Sequence, residues 1–262
     1  MPLSAGDAEP VSTGWDSHTR AESLTQAYQL VNAAIGRRIN RPGPRDVLEA
    51  GCGSMSHIDL LAEDRVVGID ISSRQLARHA RLDERIVGDI QQYPLASEAF
   101  DIVVCWEVLE HLRQPHAALR NLADATRPEG VMILALPNVM SAKGLVTKLT
   151  PHRLHVWTYR HLLGFELAGI ADHGPFPTPL PWILAPHRLE RVARSLGLTP
   201  ELIVVYESAM QQGLRRQRVL GSWWSLFALA VRFLSAGRIS SQLTELVLVL
   251  RKPPAAAGAS DR

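Results

Sequence analysis

Gly51 and Gly53 sit two residues apart in DVLEAGCGSMSHIDL (46–60), where a glycine turn would let the backbone come close to something bound. Asp70 follows Gly51 by 19 residues, at the end of VVGID. An acidic side chain about 20 residues past such a turn can accept both hydroxyls of a ribose. Asp89 ends the next apolar run, RIVGDI, where a carboxylate could accept a hydrogen bond from an exocyclic amine. Together these residues describe an adenosine pocket. Glu49 inside the turn narrows its occupant, because a carboxylate there repels a pyrophosphate but suits a ligand with an ammonium and a sulfonium. The dinucleotide fingerprint also wants a third glycine where this chain has Ser56. The spacing therefore favours a positively charged adenosine cofactor, with a nucleotide-dependent oxidoreductase as the rival.

A second set follows the run FDIVVCWE. Glu107, Glu110 and His111 fall at helix-like spacing, with His111 either a general base or an orienter of loops. Further on, TPHRLHVWTYRHLLG holds His152, His155, Tyr159, Arg160 and His161. A metal site is the tempting reading, but the spacings do not put all three histidines on one helical face, and no carboxylate lies among them. The segment reads better as a wall of an acceptor pocket, with His155 or Tyr159 available to take a proton. Cys105 reads as a small buried apolar residue rather than a nucleophile.

The elements that must position these groups alternate. Strands are expected at Val47–Ala50, RVVGID, RIVGDI, FDIVVCWE and EGVMILALPN, the last introduced by a turn at 128–130. Helices are expected at AESLTQAYQLVNAAIGRRI, Ser56–Ala62, SSRQLARHAR and PHAALRNLADAT. Short apolar strands alternating with helices argue for a doubly wound α/β fold whose mostly parallel sheet is covered on both faces. The alternation breaks after Asn138. Residues 141–186, rich in His, Pro, Gly and aromatics, suit an irregular lid. PHRLERVARSLGL then restores a helix, and ELIVVYES and TELVLVLRK supply two more strands, for seven in all. The organisation is a helical N-terminal cap (1–40), a cofactor-binding core (41–139), a lid carrying the acceptor wall (140–186), closing helix and strands (187–252) with a helical insertion at 211–240, and a disordered tail (253–262).

Composition excludes several classes. Hydrophobic residues make up 46%, charged residues 21% and the net charge is +2, which gives no warrant for a nucleic-acid partner. Two cysteines without metal-ligand spacing make no disulfide scaffold, and no signal peptide is visible, so a cytoplasmic location is the expectation. The stretch 215–238 is apolar for most of its length but carries Arg232, and falls short of the ~20 residues a spanning helix needs. Ser222, Ser225, Arg232 and Ser235 share one side of a helical wheel. The rest is a broad apolar face suited to packing, to a homodimer or to peripheral contact with a membrane interface.

VLEAGCGS, VVGIDIS, VGDIQQYPLASEAFDIVVCWEVLEHL and RPEGVMILALPN resemble, in order, the motifs of class I S-adenosylmethionine-dependent methyltransferases, over roughly Asp46–Asn138. The resemblance implies a Rossmann-like seven-stranded sheet whose last two strands pair antiparallel. It implies that Glu49, Gly51 and Gly53 face the methionine part of S-adenosyl-L-methionine, that Asp70 holds the ribose, and that Ile71 packs on adenine. Asp89 with Ile90 would meet the adenine edge, and Cys105–Glu107 would pass beside the donor methyl. Met55 departs from the family, which often has glycine there. The expectation is methyl transfer to a small, fairly apolar acceptor, a lipophilic one among the candidates, with oxygen favoured as the attacking atom. The rivals are a fold that keeps the cofactor without methylating, as an enzyme or a binding protein, and the oxidoreductase.

Overall fold

Apolar runs with no polar alternation need cover on both faces, and here they form the middle of a sheet. The computed structural model describes residues 18–39, 43–161, 164–170 and 174–254. Its strands are β1 (Thr19–Arg20), β2 (Asp46–Ala50), β3 (Arg65–Asp70), β4 (Glu84–Val87), β5 (Phe100–Trp106), β6 (Thr126–Pro137), β7 (Thr199–Tyr206) and β8 (Glu245–Arg251). They form one sheet in the order β1-β7-β8-β6-β5-β2-β3-β4, parallel except for β8, which runs antiparallel to both β6 and β7. The order reverses beside β2, so the carboxyl ends of β2 and β5 open the crevice where such sheets take ligands.

The eighth strand was not anticipated. Thr19–Arg20 pairs with Val204–Val205 at the sheet edge, inside the segment expected to be a helical cap. The cap helix itself is α1 (Leu24–Arg38), started by the Ser23 hydroxyl accepting from the Gln26 N–H. Residues 1–17 and 40 of the expected cap, and 255–262 of the expected tail, lie outside the described residues.

The helix expected at Ser56–Ala62 does not form; residues 51–64 are a loop. Seven residues make under two turns, too little to stand without packing. Tertiary partners also take the backbone groups a helix would use. The Asp59 N–H donates to Asn32, the Leu61 N–H to Asp64, and the Arg45 guanidinium to the Asp59 carbonyl and the Asp64 carboxylate. The turn expected at 128–130 is absorbed into β6 as an irregularity in its pairing with β5, with Glu129 at φ 65°.

Helices α2 (Ser73–Arg78) and α3 (Pro115–Ala125) cover the sheet along with α1. The segment expected to be an irregular lid is partly regular. It contains α4 (Ala142–Leu149) and α5 (His152–His161), and a short 3-10 turn at Trp182–Leu184 leads into α6 (Pro186–Ser195). The insertion before β8 is a pair of helices, α7 (Ala209–Arg216) and α8 (Arg218–Leu234). Two buried clusters, one on each face of the sheet, form the core. Leu48, Val103 and Met132 belong to one, and Val47, Ile102 and Val131 to the other.

Candidate active site

The turn after β2 needs both its glycines. Gly51 and Gly53 have φ of 68° and 57°, the left-handed region that other residues adopt at a cost. A side chain at 51 would strike Val108, whereas the space above 53 is open. The Gly53 N–H donates to Asp70 Oδ2 (2.9 Å), and the Ser72 N–H donates to Oδ1 (2.8 Å). Asp70 thus braces the turn against the start of α2. Each of its oxygens keeps a further lone pair, enough to accept two ribose hydroxyls. Beside it Ile71 is 77% exposed, an apolar surface held out of the core. Open space over a glycine, spare acceptors on Asp70 and an exposed isoleucine fit an adenosine cofactor.

The remaining cofactor candidates take more particular positions. Asp89 receives the Gln91 side-chain amide on both oxygens (3.0 Å each) and the Gln91 N–H on Oδ1 (2.9 Å), so an –NH2 donor already occupies the carboxylate. An exocyclic amine would replace or share that donor. The Ile90 side chain lies in the core, leaving its backbone to meet an adenine edge. Met55 is exposed and does not narrow the turn.

Glu49 is buried near the end of β2. Its Oε2 accepts from the Ser56 hydroxyl (3.0 Å) and stands 3.0 Å from His79 Nε2, with both side chains buried. Oε1 has no hydrogen-bond partner. Burial pushes the Glu49 carboxyl up to about 7. Trp106 stacks against both Tyr28 and His57, with ring centroids 5.0 and 5.2 Å away, and the Tyr28 hydroxyl lies 3.1 Å from His57 Nδ1. Desolvation, then the nearby His79, lowers His57 to about 4.

A cavity of about 1060 Å³ opens over the carboxyl end of the sheet and brings together Glu107, His111, His155 and Tyr159. Elements distant in sequence build it: the end of β5, α4, α5, residues 164–168 and 174–176 with Thr178, and the starts of α7 and β8. His111 Nδ1 lies 2.8 Å from the Pro177 carbonyl oxygen. A carbonyl only accepts, so Nδ1 carries the proton and Nε2 the lone pair. Burial lowers the His111 pKa, which keeps the ring neutral. His155 Nε2 lies 2.6 Å from the Thr150 hydroxyl, which itself donates to the Val146 carbonyl. That nitrogen therefore donates, leaving Nδ1 as acceptor. Tyr159 donates to Met210 Sδ (3.8 Å), and desolvation raises its pKa, so its hydroxyl is a donor.

Three lining groups escaped the sequence reading. Lys143 pairs with Glu245 (2.6 Å), and Tyr206 lines the same space. Glu110, singled out in the sequence beside His111, lines it too. Its side chain is 3% exposed, Oε2 has no partner, and burial raises its carboxyl well above the usual range. Glu107 is also raised, by desolvation and then by Glu245. Only β8 pairing beside β6 brings Glu245 here, a contact no local pattern announces. Cys105 is fully buried and its thiol pushed up by desolvation, which suits packing. Among the described residues no group of three or more His, Cys, Asp or Glu side chains could hold a metal ion.

Comparison with known proteins agrees with this geometry. Residues 48–134 match a family model described as a methyltransferase domain. A Mycolicibacterium smegmatis protein named "Probable S-adenosylmethionine-dependent methyltransferase" is 35% identical over 44% of this chain and 47% of its own length. The mitochondrial ubiquinone biosynthesis O-methyltransferase of Schizosaccharomyces pombe is 28% identical over 53% of this chain and 52% of its own. The chain thus spans about half the length of these curated relatives. The ubiquinone biosynthesis O-methyltransferase of Neisseria meningitidis serogroup C is 29% identical over 70% of this chain and 76% of its own. Among solved structures, the YcgJ protein of Bacillus subtilis shares the fold at 12% identity and TM-score 0.51, covering 87% of this chain and 99% of its own.

Proposed function

We propose that this member of the class I S-adenosylmethionine-dependent methyltransferases transfers a methyl group to a hydroxyl of a small, fairly apolar acceptor held in the cavity over β5. When bound, S-adenosylmethionine supplies the methyl on a sulfonium that leaves as a neutral thioether. Gly51, Gly53 and Asp70 would hold it, with Ile71 against the adenine and Asp89 and the backbone of Ile90 at the adenine edge. The chain's task is then alignment and removal of one proton. Alignment alone can contribute up to ~7–11 kcal/mol.

The observation that carries the reading is His111 in the cavity, with its tautomer set by Pro177 and Nε2, 3.8 Å from Glu110 Oε1, left as the acceptor. It takes the proton the acceptor hydroxyl gives up. Glu110, held protonated by burial, can donate to a second acceptor oxygen. Tyr159 and His155 form the wall that positions the ring, and the segment 141–186 acts as a lid. Three of the matched relatives' features point the same way: the family, the cofactor, and the O-methylation in the names of two of them.

Transfer of label from methyl-labelled S-adenosylmethionine to a panel of phenols, catechols and hydroxyquinones tests the reading. It predicts turnover on at least one member, lost in His111→Gln with cofactor affinity kept. Tight cofactor binding with no methylation across the panel would favour the reading in which the fold keeps its cofactor for another purpose.

A further inference from the structure

Helix α8 turns its most apolar arc away from the protein. Trp223, Leu226, Leu229, Phe233 and Leu234 are 59–84% exposed, while Gly221 and Ala228 are buried against the neighbouring helices. Gly221 fits beneath the last turn of α7, where a side chain would collide with the Arg215 carbonyl, so the α7–α8 elbow is fixed. An exposed arc this large on a firmly held helix asks for an occupant.

Charge selects it. From Ser208 to Thr244 the chain has no Asp or Glu and five arginines, Arg215, Arg216, Arg218, Arg232 and Arg238. Arg215 pairs with Glu207 (3.4 Å). Among the described residues the other four, all exposed, have no carboxylate at ion-pair distance. On the helical wheel, Arg218 and Arg232 flank the apolar arc on one side, with Ser225 between them and Ser222 just inside the edge of the arc. A second copy of the chain would bring the same arginines together with no acidic group from this helix to offset them. A bilayer surface with anionic headgroups offers apolar depth for the arc and negative charge for its flank, the arrangement of a helix lying in the interface plane.

We propose that α8 docks this protein onto anionic lipid membranes, its Trp223–Phe233 arc in the acyl boundary and Arg218 and Arg232 among the headgroups. No helix among the described residues is long and apolar enough to cross a membrane, so the contact is peripheral. It stands independently of methyl transfer. Helices α4 and α7, against which α8 packs, both line the cavity, so docking would bring that cavity near a lipid-dissolved acceptor.

Co-sedimentation of the full chain with vesicles of phosphatidylcholine, alone or mixed with phosphatidylglycerol, tests this without cofactor or acceptor. Binding should be at least roughly tenfold stronger to the anionic vesicles and weaken with salt. Trp223→Ser/Phe233→Ser and Arg218→Glu/Arg232→Glu should each abolish it, while circular dichroism and S-adenosylhomocysteine binding stay unchanged. No binding to anionic vesicles at low salt would overturn the proposal. So would a stable dimer in sedimentation velocity that Trp223→Ser/Phe233→Ser converts to monomer, since a second copy would then be the occupant.

Discussion

Glu49 Oε2 and His79 Nε2 stand 3.0 Å apart, with their side chains 3% and 1% exposed. Two titratable groups, one at the end of β2 and one just past α2, thus meet in a place with almost no water. The contact joins the end of β2 to the residue that follows α2.

The buried carboxyl makes stability depend on pH with a definite sign. Burial raises Glu49 from 4.5 to about 7, so the folded state holds a proton that the unfolded state releases. Its contribution is fully present below 4.5 and is lost as pH rises through about 7. Glu49→Gln keeps the shape without the titration. Thermal melting should show the mutant gaining on wild type between about pH 5 and pH 8, by up to about 3 kcal/mol. A difference that does not vary with pH would mean Glu49 does not titrate in that window.

His111 predicts a rate effect and a pH profile. His111→Gln should lower kcat by about 10²–10⁴-fold with cofactor affinity within a few-fold of wild type. Because burial lowers the His111 pKa, the ring becomes a base at lower pH than an ordinary histidine. Activity should rise through that lowered value and be flat at neutral pH. Steady-state kinetics against pH reads both effects, and an unchanged acid limb in the mutant would assign the base elsewhere.

The lid prediction separates acceptor handling from cofactor handling. His155→Ala and Tyr159→Phe remove groups that line the cavity but lie apart from Gly51, Gly53 and Asp70. Both should reduce turnover and leave S-adenosylhomocysteine affinity nearly intact. Hydrogen exchange across 141–161 should slow when cofactor and acceptor are both present. Full activity in both variants would move the acceptor away from this wall.

Met55→Gly restores the residue often found in the family, yet Met55 is exposed and fills no part of the turn. Calorimetry should find cofactor affinity unchanged within about threefold, a difference under 1 kcal/mol. A large gain would show that Met55 holds the turn in a poorer binding shape.

The parts of the fold legible in sequence were those with strong local periodicity. β2, β3 and β5 carry short runs of apolar residues, and α1 and α3 repeat apolar residues at helical spacing. Ser56–Ala62 misled because its apolar residues could satisfy a helix pattern, while Asn32 and Arg45, which hold it as a loop, lie outside any local window. β1 is two residues long and carries no pattern at all. The placement of Gly51, Asp70 and Asp89 at or just past the ends of β2, β3 and β4 was readable from their spacing along alternating elements. The Lys143–Glu245 pair joins α4 to β8 across more than a hundred residues, and Glu110 differs from its neighbours only in burial. Neither property leaves a mark in the sequence.

Asp70 tests the central claim, an adenosine cofactor on the glycine turn, most directly. Titration calorimetry of S-adenosylhomocysteine into wild type and Asp70→Asn reads it, with circular dichroism to check that both are folded. The account predicts one site in wild type and roughly 10–150-fold weaker binding in the mutant, the loss of a charged acceptor typically worth ~1.5–3 kcal/mol. Equal affinity in two folded proteins, or no binding to either, would contradict it.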